Sequence, residues 1–492
     1  MAGIKSLAKD TAIYGASSII GRFLNWCLVP LYTNAFAASE YGIVNYLYSF
    51  VALALIILTY GMETGFFRFA NADKEGDDPM RVYSTSLISL AGTSSLFVAI
   101  VFLCQGWLAM LLNIPQHPEY VTLLAATVAL DAFTAIPFAY LRYCKRPLKF
   151  ATIKLVNIAV NIALNLFFIV LCPWLDSRFP GCVDAVYSKS VGIGYIFISN
   201  LAASLLTLVM LIPQLRGFRY CFDAALIRRM LAYSSPLLVL GVAGIMNQTI
   251  DKLLLPVLIP DHNAAFTSIG IYGANYKIAI VMVMFMQAFR FAYEPFIFSQ
   301  NRDSNKTQSY IDAMKYFIIF SMVIFLGVMF YLPILKYFIA PSYFEGLKVV
   351  PVVMLAELFF GIFFNLSLWY KLTDRTVWGM YFSLFGLAIT VVVNVLLVPL
   401  IGYMGCAWGA FASYLCMMVA SWYFGRKYYP IAYNYKNAAF YIVVAMLLYG
   451  IGNVLPLENT ILLLAARTVL LLLFLGIIVK KETIPLPGIR RK

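Results

Sequence analysis

The sequence is poor in charge. Only 12% of its 492 residues are charged, whereas 62% are hydrophobic, and the mean hydropathy is +0.85. Soluble domains are about 25% charged and about 45–50% apolar. The low charged fraction and the high apolar fraction exclude a soluble globular protein, because a chain of this length could not bury so much apolar surface away from water. The composition therefore predicts an integral membrane protein.

Three features of membrane enzymes are also missing. The two histidines, His117 and His262, both lie in short predicted loops, so an acyltransferase with a membrane-embedded histidine is disfavoured. The longest outer connection, residues 174–189, is too short for the catalytic loop of a polymerase or ligase. No GxxxxGK[ST] motif is present, which argues against ATP hydrolysis. A membrane glycan-modifying enzyme is therefore the least favoured function.

The eight cysteines do not have the spacing of metal ligands. Cys172 and Cys182 could meet on the outer side, but burial of two small apolar side chains in the membrane is the favoured interpretation. The sequence thus indicates no metal and no resident cofactor.

The apolar residues form long continuous runs rather than short alternating strands. A helix needs about 20 mostly apolar residues to cross a bilayer, and its backbone must be hydrogen-bonded within the segment. The sequence predicts an all-α protein with fourteen spans, numbered 1 to 14, at residues 11–34, 42–67, 84–112, 119–141, 150–173, 190–213, 231–259, 268–297, 313–339, 348–370, 378–400, 402–425, 437–455 and 460–479.

Lysine and arginine are distributed unequally between the two sides of these spans. Of the 36 basic residues, only four lie in outer loops or at the outer ends of spans, namely Arg178, Lys189, Lys336 and Lys348. The positive-inside rule therefore predicts cytoplasmic N- and C-termini. The same excess of lysine and arginine on the cytoplasmic side accounts for the formal net charge of +14, so this charge does not require nucleic-acid binding as its explanation.

An internal repeat relates the two halves of the chain. Residues 131–147, DAFTAIPFAYLRYCKRP, resemble residues 357–373, ELFFGIFFNLSLWYKLT. Spans 1–6 therefore match spans 7–12, and because six is even, both copies have the same orientation. We predict two six-helix lobes related by a pseudo-two-fold axis, residues 1–214 and 215–427, with two further helices in 428–492. Repeats of this kind are typical of transporters, with the site between them.

Span 7 contains the stretch MNQTIDK, which is unusually polar for a membrane helix. Asn247 and Asp251 are four residues apart and share one helix face, and Lys252 lies on the face beside it. A charge at the centre of a bilayer costs about 2.5–3.5 kcal/mol on insertion scales. This face should therefore point towards protein or water.

Other spans carry polar residues in the same way, and they divide by chemistry. Basic and amide side chains could hold an anionic headgroup; the predicted cavity residues are Arg22, Asn25, Lys154, Asn157, Asn247, Lys252, Lys277 and Arg290. Acids could bind a coupling cation or a proton, or pair with the bases; these are Glu63, Asp131, Asp251 and Glu357. The structural alternative is that such residues join helices to one another.

Several segments resemble bacterial polysaccharide flippases of the multidrug/oligosaccharidyl-lipid/polysaccharide (MOP) exporter superfamily. They are GMETGFFRFA (61–70), PFAYLRYCKRPLKFATIKLVNIAVNI (137–162) and NQTIDKLLL followed by GIYGANYKIA (247–279). The resemblance covers nearly the whole chain, including the count of fourteen spans. It implies a fold like that of multidrug and toxin extrusion (MATE) transporters. It also places the arginines expected in spans 1 and 8 at Arg22 and Arg290, and the acid of span 7 at Asp251.

The same resemblance implies a function. The expected activity is transfer of an undecaprenyl-diphosphate-linked oligosaccharide from the inner to the outer leaflet of the bacterial inner membrane, by cation-coupled alternating access. Membrane lipid and a polysaccharide polymerase are further expected partners. A lipid II flippase and a cation-coupled multidrug exporter remain alternatives, although the basic residues argue against organic cations as cargo.

Overall fold

The computed structural model describes residues 15, 17, 19–71, 78–216, 220–300, 306–373, 375 and 377–482. These residues form helices and their connections, without a strand. Thirteen helical segments are long and apolar enough to cross a membrane, which confirms a multi-pass all-α protein. They are Ala38–Ala70, Pro79–Leu111, Pro118–Tyr143, Pro147–Arg178, Gly194–Leu215, Ala224–Leu258, His262–Arg290, Thr307–Phe330, Pro341–Leu372, Val377–Ile401, Met404–Tyr428, Tyr435–Val454 and Thr460–Lys481.

These thirteen segments correspond to predicted spans 2 to 14 and keep those numbers here. Predicted span 1, residues 11–34, lies partly outside the described residues, and its described part includes a helix at Val29–Ala35. The total of fourteen therefore stays a prediction. Several observed helices are longer than predicted, because their polar ends continue the helix beyond the apolar run.

Local sequence explains where several spans begin. Spans 3, 4 and 5 each start at a proline, namely Pro79, Pro118 and Pro147. Proline suits the first helical turn, because its fixed φ is helical and its missing N–H would have no partner there. Asp223 begins span 7 by accepting hydrogen bonds from the N–H groups of Ala225 and Leu226 at 2.9 and 3.1 Å. This is the expected chemistry of a helix N-cap.

Span 2 is broken near one end. Tyr60 and Gly61 both have left-handed backbone conformations, with φ of 32° and 71°. The break ends the helix Ala38–Thr59 and starts a short helix, Met62–Ala70. Glycine tolerates this conformation, and the Ser234 hydroxyl donates to the Gly61 carbonyl at 3.2 Å. The short helix carries Glu63, one of the predicted acids.

By contacts, the chain divides into two compact units, Met1–Gly270 and Ile271–Lys492. In the first unit, Met62, Phe66, Tyr83 and Leu90 form a buried core together with Met230 of span 7. In the second, the main core is aromatic and includes Trp369, Phe382 and Tyr414, among others. This division groups residues by packing; the predicted lobe boundaries concern the internal repeat and stay a prediction.

All eight cysteines are free thiols in the structure. Cys172 is buried and Cys182 is exposed. The predicted burial of both side chains is therefore found only for Cys172.

Candidate functional site

The first unit contains a seam of polar side chains inside its membrane-spanning helices. We call it the polar seam; its members are Tyr32, Tyr48, Glu63, Asp131, Arg142, Lys154, Asn157, Asn161, Asn165, Asn200, Ser204 and Thr207. It joins spans 2, 4, 5 and 6 and the described part of span 1. Four of the twelve predicted site residues belong to it: Glu63, Asp131, Lys154 and Asn157.

Charged groups of opposite sign meet in this seam. The Arg142 guanidinium forms an ion pair with the Glu63 carboxylate, and both side chains are partly exposed. Lys154 lies within electrostatic range of Asp131 and Glu63. Its Nζ also lies 4.1 Å from the centre of the Phe138 ring, a favourable position for a cation. Two acids and two bases can thus offset one another's desolvation.

Hydrogen bonds from span 6 complete the seam. The Ser204 hydroxyl donates to Asp131 Oδ1 at 2.8 Å, and the Asn157 amide donates to Thr207 Oγ1 at 2.9 Å. The Asn200 amide donates to the Tyr48 hydroxyl at 3.0 Å. The sequence analysis missed all three span 6 residues. Their spacing, four and then three, would have placed them on one helix face.

Asparagines of span 5 continue the seam towards span 1. The Tyr32 hydroxyl donates to Asn165 Oδ1 at 3.0 Å, and the Asn165 amide donates to Asn161 Oδ1 at 3.1 Å. Immediately after Asn165, residues Phe167–Leu171 form a π-helical turn. Such turns within α-helices are frequent at functional sites.

Span 7 holds its predicted residues in a buried position. Asn247 and Asp251 are only 6% and 5% exposed, so this face is turned into the protein as expected. Lys252 Nζ lies 3.1 Å from Asp251 Oδ1, which forms an ion pair between neighbours in the chain. The charge of the Asp251 carboxylate is therefore balanced by the lysine that follows it in the chain.

The described part of span 1 carries two predicted cavity residues. Arg22 and Asn25 are both exposed. The helix packs through Gly21, where a Cβ atom would lie 2.6 Å from Ile158 of span 5. The structure therefore presents Arg22 beside a helix contact rather than in an apolar core.

In the second unit, two cations lie close to one aromatic ring. The Arg290 guanidinium carbon lies 4.1 Å from the centre of the Phe364 ring, and Lys371 Nζ lies 4.4 Å from the same centre. Two cations thus share one aromatic ring. The sequence analysis named Arg290 as a site residue but assigned Lys371 only to the repeat.

The remaining predicted residues lie in the second unit as well. Glu357 is 4% exposed, and its carboxylate accepts a hydrogen bond from the Tyr276 hydroxyl at 2.7 Å. Lys277, the next residue, is partly buried. The sequence analysis did not anticipate a tyrosine as the partner of this acid.

Span 2 makes a close contact with another helix near each of its two ends. At one end it crosses the start of span 8: a Cβ on Gly42 would lie 1.9 Å from the Phe266 carbonyl oxygen, and one on Gly270 would lie 1.9 Å from the Ala38 carbonyl oxygen. At the other end, a Cβ on Gly65 would lie 2.9 Å from Ser234 Oγ of span 7. Glycine is required for such close approach.

Solved structures identify the fold. The chain resembles a lipid II flippase, MurJ, in an inward closed conformation, with a TM-score of 0.74 and 13% identity over 96% of this chain and 99% of that chain. It also resembles an inward-facing multidrug resistance MATE family transporter of the MOP superfamily, with a TM-score of 0.65 and 12% identity over 83% and 94% of the two chains. At these identities the likeness concerns the fold alone, which is therefore that of the MurJ and MATE transporter structures.

The family follows from the sequence. Residues 7–300 match the family described as "Polysaccharide biosynthesis protein", and the chain belongs to this family. The resemblance to polysaccharide flippases drawn from the sequence is confirmed. A comparison with curated proteins found no match.

Proposed function

We propose that this protein is a flippase that moves a polyprenyl-diphosphate-linked oligosaccharide from the inner to the outer leaflet of the bacterial inner membrane. Its family and its fold support a flippase or transporter. The lysine and arginine distribution supports cytoplasmic N- and C-termini. A polysaccharide polymerase would receive the cargo on the outer side.

The observation that carries the proposal is that cationic side chains lie inside the membrane-spanning helices, as Lys154 does in the polar seam and Arg290 does on the Phe364 ring. A diphosphate must leave water to cross the membrane, and its charge then needs fixed cations. Arginine suits this task, because it stays charged and its planar N–H groups can grip phosphate oxygens in pairs. Arg22 and Arg290 are proposed to hold the diphosphate, with the cavity residues Asn25, Lys154, Asn157, Asn247, Lys252 and Lys277 around the headgroup.

The acids supply the proposed coupling. Glu63, Asp131, Asp251 and Glu357 each have a partner that a proton or a sodium ion could replace. Exchange of partners would link ion binding to movement between inward-open and outward-open states. Alternating access of this kind predicts that the two ends of the site are never open together.

The test is transport by the purified protein in proteoliposomes. A fluorescent polyprenyl-diphosphate oligosaccharide should change leaflet when a proton or sodium gradient is applied, and its change of leaflet should stop when the gradient is collapsed. Lipid II and a cationic dye serve as competing cargoes. Transport of the dye alone would overturn the proposal in favour of a multidrug exporter, and transport of lipid II alone would assign the protein to peptidoglycan synthesis.

A further inference from the structure

A basic pocket lies in the second unit, away from the residues discussed above. Three cationic side chains line it: Lys336 before span 10, Lys348 within span 10 and Arg467 of span 14. Its volume is about 370 Å³, within the range of ordinary ligand sites. The rest of its described lining is Met329, Leu332, Pro333, Leu347, Pro351, Tyr449 and Asn453. We call it the outer basic pocket, a name that rests on the orientation proposed above.

Arg467 is a fixed cation in this pocket. It is 9% exposed, and its Nε and one Nη donate to the carbonyl oxygens of Gly452 and Phe330 at 3.1 and 3.3 Å. The other Nη donates to Asn453 Oδ1 at 3.3 Å. The two carbonyls belong to the last turns of spans 13 and 9, where helix carbonyls lack partners within the helix. Three of its five N–H donors are used in this way, which leaves donors for a ligand.

Neither lysine has an acidic partner among the residues that the structure describes. Lys336 Nζ lies 5.2 and 5.3 Å from the ring centres of Tyr337 and Phe344, and Lys348 Nζ lies 5.1 Å from that of Tyr403. Within the part of the chain that the structure describes, neither lysine forms an ion pair, and no acid lines the pocket. The neighbouring Glu345 accepts a hydrogen bond from the Tyr403 hydroxyl instead.

The position of these lysines is unusual for a membrane protein. Cations are scarce on the outer side, and Lys336 and Lys348 are two of only four there. The other two are accounted for: Lys189 pairs with Asp176 at 2.9 Å, and Arg178 lies over the Trp174 ring. The two outer lysines without an acid therefore converge on one pocket beside a buried arginine. Three cations close together repel one another, and an anion would remove this cost.

We propose that the outer basic pocket binds the phosphate of a lipid headgroup in the outer leaflet. The lysines and the free Arg467 donors would bind the phosphate oxygens. The apolar wall formed by Met329, Leu332, Pro333, Leu347 and Pro351 would cover the first carbons of the attached chain. Two sources share this chemistry: an anionic phospholipid, and the polyprenyl diphosphate after it has crossed.

Binding can be measured on the full-length protein in nanodiscs of phosphatidylcholine. A photoreactive phosphatidylglycerol and a photoreactive polyprenyl diphosphate are crosslinked in separate arms, and the labelled peptides are identified by mass spectrometry. We expect labelling near Lys336 and Lys348 in at least one arm. The double variant Lys336→Gln, Lys348→Gln should lower it about tenfold, because hydrogen bonds to charged groups are lost.

Lys189→Gln is the matched control, because this outer lysine is exposed and paired with Asp176. Thermal unfolding of each variant shows that the fold is kept. Labelling in the phosphatidylglycerol arm or the polyprenyl diphosphate arm supports the proposal and identifies the source. Labelling that the double variant changes no more than the control would overturn it. A photoreactive phosphatidylcholine that labels the pocket as strongly as both anionic probes would overturn it as well.

A separate measurement tests the orientation. Lys336→Cys in a background without the native cysteines should react with an impermeant maleimide from outside the cell. Reaction only from the cytoplasmic side would place the pocket in the inner leaflet and overturn its outer assignment. Transport in proteoliposomes is not needed for either experiment, so loss of the proposed flippase function and loss of this site would be seen independently.

Discussion

The predicted site residues Glu63 and Asp251 of the first unit have different partners from Arg290 and Glu357 of the second. In the first, carboxylates meet cations: Glu63 pairs with Arg142, and Asp251 with Lys252. In the second, Arg290 lies on the Phe364 ring, and the carboxylate of Glu357 is held by a tyrosine. An ion pair neutralises both partners, whereas a ring stabilises a cation without neutralising it.

This difference suggests a division of labour. A guanidinium with its face on a ring keeps N–H groups at its edge for an anion. This position of Arg290 is compatible with its proposed role of holding a phosphate. The acids of the first unit can instead exchange a cationic partner for a proton or a metal cation. We expect the second-unit cation to control cargo binding and the first-unit acids to control coupling.

The largest expected effect is at Arg290. Arg290→Ala should abolish both binding and transport of the polyprenyl-diphosphate cargo, since the loss of charged hydrogen bonds costs about 1.5–3 kcal/mol for each bond. Arg290→Lys should keep part of the activity, because the charge remains but the paired N–H groups are lost. Arg22→Ala should behave like Arg290→Ala. Transport in proteoliposomes and equilibrium binding are measured together.

Arg178→Ala is the control for these variants, because Arg178 also lies over an aromatic ring, that of Trp174, but outside the predicted cavity. Normal transport by both Arg22→Ala and Arg290→Ala, at normal expression, would show that these arginines are structural.

The second-largest effect is expected at two acids of the first unit, Asp251 and Glu63. Asp251→Asn and Glu63→Gln should reduce gradient-driven transport at least tenfold while cargo binding is largely kept. Stability should change little at Glu63, because an ion pair this exposed contributes about 1 kcal/mol or less. If the acid variants lose binding as Arg290→Ala does, the proposed division of labour is wrong.

A smaller effect is expected where spans 2 and 8 cross. Gly42→Ala should lower the free energy of unfolding by about 1–3 kcal/mol, because the added methyl group would overlap the Phe266 carbonyl and separate the helices. Gly92→Ala is the control, since a Cβ there meets nothing within 4 Å. Thermal unfolding in detergent measures both. Equal behaviour of the two variants would mean that the crossing is not closed in solution.

The smallest effect concerns Asp223, which begins span 7. Hydrogen bonds from the backbone N–H groups of Leu226 and Ala225, together with nearby Arg81, lower the pKa of this carboxyl group. Its contribution to stability is therefore present above the unfolded-state pKa, about 3.9, and is lost as the pH falls through the lower folded-state pKa. Asp223→Ala should lower the melting temperature at pH 7 and have less effect near pH 3. An equal effect at both values would exclude the charged form as the cause.

Much of the architecture was predictable from the sequence. Spans 2 to 14 were found because a bilayer demands about 20 apolar residues in each helix, and this demand is local. The buried polar face of span 7 was predictable for the same reason, because Asn247 and Asp251 are spaced at one helical turn. The family was also recognisable from segments such as GMETGFFRFA.

Partners in the site were not predictable. Arg142 was counted with the inner loops, yet the break at Tyr60 and Gly61 allows Glu63 to meet it. The span 6 side chains Asn200 and Ser204 escaped notice, because hydroxyl and amide groups cost little in a membrane helix when a partner is near. Nothing in the sequence singled out Phe364 from the other phenylalanines. Only the structure shows that Arg290 and Lys371 both lie over its ring.

The sequence by itself determined that this protein is helical, spans a membrane many times and carries charges that must avoid lipid. These properties follow from composition and spacing along the chain, since each residue meets the bilayer at a depth set by its own helix. Only the tertiary structure decided which charges pair, which lie on rings and which remain available for a ligand. Pairing depends on distances of a few ångströms between residues far apart in sequence, such as Glu63 and Arg142, and helix packing alone sets those distances.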